Sequence, residues 1–106
     1  MKILFTIFTI FQLFTITATV KVGGVTQTAQ SGDNMNFILR ALTSGGVTII
    51  GPIPVGATSY TTPREHPPGQ YSVEATGTLG GQFYSGLGGT GSQFITTADI
   101  TFELNF

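Results

Sequence analysis

The sequence predicts an all-β fold: an antiparallel Ig-like or fibronectin-like β-sandwich of about seven strands, following an N-terminal signal peptide. Three observations carry this. Residues 94–106 (FITTADITFELNF) place Phe94, Thr96, Ala98, Ile100, Phe102, Leu104 and Phe106 at alternate positions, with Thr97, Asp99, Thr101, Glu103 and Asn105 between them. A period of two with one apolar and one polar face marks a half-buried strand. Residues 70–76 alternate in the same way, with Tyr71, Val73 and Ala75 inward and Ser72, Glu74 and Thr76 outward. Turn-forming clusters recur roughly every eight to twelve residues, the spacing of a sandwich.

The chain opens with Met1-Lys2 and an uncharged apolar run over residues 3–14 (ILFTIFTIFQLF), followed by Thr15-Ile16-Thr17-Ala18. A short basic start, an apolar stretch and then smaller residues is the order of a secretory signal peptide. It predicts a leader over residues 1–18, cleaved after Ala18 or Thr19, and one domain over residues 19–106. Two other readings are open: a marginal membrane anchor, since residues 3–20 are just long enough to span, or a buried strand rich in β-branched residues.

After the expected cleavage, residues 19–27 (TVKVGGVTQ) read as an opening strand kinked at Gly23-Gly24. Residues 29–34 (AQSGDN) are turn chemistry. Residues 35–42 (MNFILRAL) form a strand, because as a helix they would make barely two turns. Residues 43–46 turn, residues 47–50 (VTII) form a short strand, and Pro52 and Pro54 then interrupt pairing because neither can donate. Residues 57–62 resume an edge strand, and residues 63–69 (PREHPPG) make a rigid connection. A turn over residues 77–81, a strand over residues 82–85 and a glycine-rich loop at residues 86–91 lead into the last run. Fully extended, residues 94–106 would reach about 43 Å, twice an ordinary strand. A bend near Thr96-Thr97 is expected, with Ala98, Ile100, Phe102 and Leu104 facing Phe37, Leu39, Tyr71 and Val73.

Charge and cysteine content exclude several function classes. Beyond the leader, Lys21, Arg40 and Arg64 stand against Asp33, Glu65, Glu74, Asp99 and Glu103. A phosphate backbone needs converging lysines or arginines, so no nucleic acid partner is expected. The absence of cysteine excludes disulfide-stapled folds and thiolate metal sites. There is no Asn-x-Ser/Thr sequon. Few charges and many hydroxyls make a neutral surface, suited to an extracellular or wall setting.

The candidate motifs are sparse. Residues 86–91 (GLGGTG) match G-x-G-x-x-G, but strand-like residues follow where a dinucleotide site needs a helix. The expectation is a loop without a cofactor, with Leu87 as a binding candidate at one end of the sandwich. His66 is the single histidine. Without cysteine or a second histidine, neither a zinc site nor an acid–base pair is expected around it. Arg64, Glu65 and His66 are instead a candidate partner-contact cluster on a proline-rich loop. Asp99 and Glu103 lie four apart on one strand face, roughly 13 Å at about 3.3 Å per residue, too far for a retaining glycosidase pair. Gly-x-Ser-x-Gly is absent. Of the middle aromatics, Tyr71 is expected inside; Phe83 and Tyr84 face opposite ways, so one of them is expected to be exposed, and Tyr84 is taken as the binding candidate.

Tyr60-Thr61-Thr62-Pro63, Pro67-Pro68-Gly69-Gln70-Tyr71-Ser72-Val73, Tyr84-Ser85-Gly86 and Phe94-Ile95 follow one another in an order that resembles a fungal cell-wall family. It is the Ser/Thr-rich, glycosylphosphatidylinositol-anchored, Ig-like domain of the β-1,6-glucan assembly type. The likeness covers residues 37–95. The family's common tryptophans are absent, and residues 87–93 separate Ser-Gly from Phe94. The resemblance implies a wall or surface location and no catalytic residue. The expected function is a secreted, non-enzymatic module binding a cell-wall or surface glycan. An extracellular protein partner, or self-assembly as a structural subunit, is the alternative. No stable membrane insertion is expected once the leader is removed.

Overall fold

The computed structural model describes residues 13–89, 93–95 and 99–106. The apolar run expected to be a leader, as far as residue 12, the bend expected at Thr96-Thr97 and the inward position expected for Ala98 lie outside the described residues. Those described form an all-β sandwich of two packed sheets, without a helix. The strands are β1 (Ile16–Val22), β2 (Val25–Thr26), β3 (Asn34–Ala41), β4 (Gly46–Ile50), β5 (Ser59–Thr61), β6 (Gly69–Leu79), β7 (Gln82–Gly86), β8 (Gln93–Ile95) and β9 (Ile100–Asn105). One sheet runs β4-β3-β6-β7, with β8 also on β6. The other is built on β1, which pairs with β2, β5 and β9.

Alternation puts the core where the sequence predicts it. Met35, Phe37, Leu39, Tyr71, Val73 and Ala75 are buried on one inner face, and Ile16, Ala18, Val20, Phe102 and Leu104 on the other. Opposite Ala18 stand Tyr60 on β5 and Phe102 on β9, so a small residue separates two rings. The outer face of the β1 sheet is hydroxylated instead. Thr17 and Thr61 hydroxyls share a hydrogen bond of 2.8 Å, and the Thr19 hydroxyl donates to the Thr58 carbonyl at 2.7 Å.

Three features differ from the sequence reading. The final run is two strands in different sheets: β8 pairs antiparallel with β6, while β9 pairs parallel with β1 from Ile16↔Ile100 to Lys21↔Asn105. Alternation reports which face is buried and carries no information about the neighbouring strand. Gly23-Gly24 is a hairpin turn rather than a kink, with φ of +57° and +83°. Two positive φ values match the right-handed twist of the flanking strands. The turn expected over residues 77–81 shrinks to Gly80-Gly81, because β6 continues through Gly77. There φ is +148° and a Cβ would overlap the Asn34 carbonyl oxygen, so glycine here serves a close strand approach.

Residues upstream of the expected cleavage point also take part in the described sandwich. Phe14, Ile16 and Ala18 are fully or almost fully buried. A cut after Ala18 or Thr19 falls inside β1 and would strip these side chains from the core. It would also leave Tyr60 and Thr61 of β5 and the first half of β9 without their partners on β1.

Two polar contacts pin the ends of the sandwich. The buried Thr62 hydroxyl accepts the Ile16 N–H at 2.9 Å. At the opposite end, Asp33 accepts N–H bonds from Gln30 and Gly80 at 2.8 Å and from Gly81 at 3.2 Å, tying a loop to the β6–β7 turn. Those backbone donors, Gln30 first, hold its carboxyl below the ordinary value of 3.8. Thr62→Val, which leaves the Ile16 N–H buried without an acceptor, is expected to lower unfolding free energy by about 1–3 kcal/mol in urea titration, while Thr62→Ser keeps the bond. A depressed carboxyl pKa stabilises the fold above its unfolded value and loses that contribution as pH falls through the folded one. Asp33→Asn should therefore melt below the parent at pH 7, with the gap closing as pH drops below 3.8; a gap that does not depend on pH would refute the assignment.

Candidate functional site

The sandwich has an open end where the β3–β4 hairpin meets the 62–68 crossover. The hairpin is anchored to β6: Leu42 N–H donates to the Gln70 carbonyl at 2.8 Å, and the Thr43 hydroxyl accepts the Gln70 N–H at 2.9 Å. The crossover is held at two points. Phe14 and His66 exchange both backbone hydrogen bonds, at 2.9 and 3.2 Å. The Tyr71 O–H donates to the Pro67 carbonyl at 2.8 Å. A tyrosine near the start of a strand bonding back four residues is the tyrosine corner of Ig-like sandwiches. Burial raises the Tyr71 pKa, so the phenol stays a donor.

Between hairpin and crossover lies a pocket of about 210 Å³ lined by Leu39, Ala41, Ser44, Gly46, Thr48, His66, Pro67 and Tyr71. Leu39, Ala41 and Tyr71 continue the inner face of their sheet, so the floor is apolar. Ser44 and Thr48 are exposed and bring hydroxyls to the rim. The His66 ring stands edge-on to Tyr71, with centroids 5.9 Å apart at 75°. Its Nε2 is buried and has no hydrogen-bond partner among the described residues. Burial lowers the His66 pKa, with Glu65 opposing the shift, so the imidazole is neutral at pH 7. A buried imidazole nitrogen without a partner departs from the usual pairing of buried polar groups.

The five predicted site residues separate in space. His66 lines the pocket and is half-buried, because the bridge to Phe14 draws the crossover onto the sheet end. Arg64 points to Asp99, Nη2 to Oδ2 at 3.4 Å, and Asp99 also accepts the Thr15 N–H. Glu65 is exposed beside them. Tyr84 lies on β7, at the far side of the same sheet, half-buried with its ring tilted on Phe106 at 5.3 Å. Phe83 is the exposed member of that pair. Leu87 is exposed on the loop after β7. Neither Tyr84 nor Leu87 lines the pocket.

Ser44 and Thr48 escaped the sequence reading. The one available signal was Thr48 itself, a polar residue at an inward position of the otherwise apolar Val47-Thr48-Ile49-Ile50. Among the described residues no three of His, Cys, Asp or Glu gather closely enough to hold a metal ion. No protein-family model matches the chain, no curated protein sequence matches it, and no solved structure matches its fold.

Proposed function

We propose that the protein is a secreted, non-enzymatic β-sandwich that binds glycan at the cell surface or wall, with the His66 pocket taking one sugar unit. The observation that carries this reading is the pocket itself, with hydroxyls at its rim, an apolar floor and His66 among its lining residues. Sugars present the complement: hydroxyls that need partners and C–H faces that pack on apolar surface. The volume is below that of drug-sized sites, so it suits a single residue of a longer chain. The resemblance to fungal wall domains supports the same class of ligand. Arg64, engaged with Asp99, and Glu65 lie on the outside of the crossover, where they would flank a polymer running past the pocket.

Pulldown of the secreted protein with insoluble β-glucan, chitin and mannan, together with a glycan array, tests the reading, and no retention on any of them rejects it. His66→Ala is expected to weaken retention about tenfold, the worth of one or two hydrogen bonds, with an unchanged melting transition. N-terminal sequencing of the secreted protein tests localisation and domain start together. A terminus at or before Phe14 agrees with the buried Phe14 and Ile16. One at Thr19 or Val20 would mean that the exported form lacks half of β1.

A further inference from the structure

We propose that the β4 edge pairs with β4 of a second copy, antiparallel about a two-fold axis at Thr48, to make a dimer with one continuous sheet. β4 ends its sheet, so one side of its backbone faces no other strand among the described residues. Edge strands in monomers are usually blunted by charge, proline or a bulge. Gly46-Val47-Thr48-Ile49-Ile50 has none of these and is rich in β-branched residues. Its outward side chains are Val47, 58% exposed, and Ile49, 67% exposed.

The occupant is argued from register. Centring an antiparallel pair on Thr48 sets Val47 against the partner's Ile49 on the outer face, a β-branched pair of the kind that stabilises sheets. On the inner face Thr48 meets the partner's Thr48, and Gly46 leaves room for the partner's Ile50. Within each copy Val47 stands beside Arg40, and Ile49 beside Ile38, which faces Glu74. Each outer row across the dimer therefore carries Arg40 at one end and the partner's Glu74 at the other, with apolar residues between. No like charges meet. The two-fold axis is normal to the sheet, so both pockets open on one face and abut at the Thr48 pair. A five-residue edge is small beside stable interfaces, which sets the expectation of a concentration-dependent dimer.

The chain has no cysteine, which makes the test clean. Directly opposed residues in an antiparallel pair have Cα atoms about 4.5–5.5 Å apart, within the range a disulfide spans. Thr48→Cys is expected to run as a covalent dimer on non-reducing gels, and Ser31→Cys, in an exposed turn, is not. By equilibrium sedimentation the parent mass should rise with concentration towards twice that of one chain. The Val47→Lys/Ile49→Lys double variant should stay monomeric with an unchanged melting transition. A parent that stays monomeric up to its solubility limit overturns the proposal. So does equal cross-linking of Thr48→Cys and Ser31→Cys. Growth beyond a dimer overturns the two-fold arrangement in favour of β4-to-β7 stacking. Glycan retention is read separately, so the failure of one proposal leaves the other standing.

Discussion

Burial between two sheet faces is the constraint on which this fold depends. There is no cysteine and therefore no covalent staple, and no group able to hold a structural metal among the described residues. Stability must come from apolar area removed from water. The inner faces answer with Phe14, Phe37 and Phe102 fully or almost fully buried, and with Ala18 and Ala75 where large neighbours need room. Polar groups drawn inside are few and paired. Tyr71 and Thr62 each spend their polar atom on backbone, closing the crossover and capping β1. Against that background the buried Nε2 of His66, without a hydrogen-bond partner among the described residues, stands apart.

The same end shows how fold and site are linked. The Phe14–His66 bridge and the Tyr71–Pro67 bond belong to the closure of the sandwich, yet together they position the imidazole over the floor of the pocket. The rim comes from the β3–β4 hairpin, whose tip is tied to β6 through Thr43. An imidazole carried on a loop is thus held by contacts to strands. Arg40 and Glu74, joined at 2.8 Å across the outer face, keep the strands beneath in register.

Much of the fold was legible in the sequence because strand periodicity is local. The inward sets of β3, β6 and β9 could be read from alternation alone. Strand partners could not, since the choice of β9 beside β1 depends on how two sheets stack and not on either segment by itself. The start of β1 was obscured for a different reason: an apolar leader and a buried strand draw on the same residues, and Ile16-Thr17-Ala18 satisfies both patterns. At the site, His66 was visible as a lone imidazole. Its neighbours Ser44 and Thr48 are short hydroxyls whose type carries no spatial signal, and Tyr71 looked like plain core. Tyr84 and Leu87 drew notice as an aromatic and a loop residue, and the fold sends them to the opposite side of the sheet.

The parallel ladder between β1 and β9 joins the earliest and latest strands among the described residues, and the Thr15–Asp99 bond spans 84 positions. Such contacts return nothing until a long loop has closed, which places the chain among slow, high-contact-order folders. Until Ile100–Asn105 has been synthesised, Ile16–Val22 has one side without its partner and its apolar face incompletely covered. A nascent chain in that condition stays loose and threadable. A first strand that waits for the last therefore delays packing until the final strand is available.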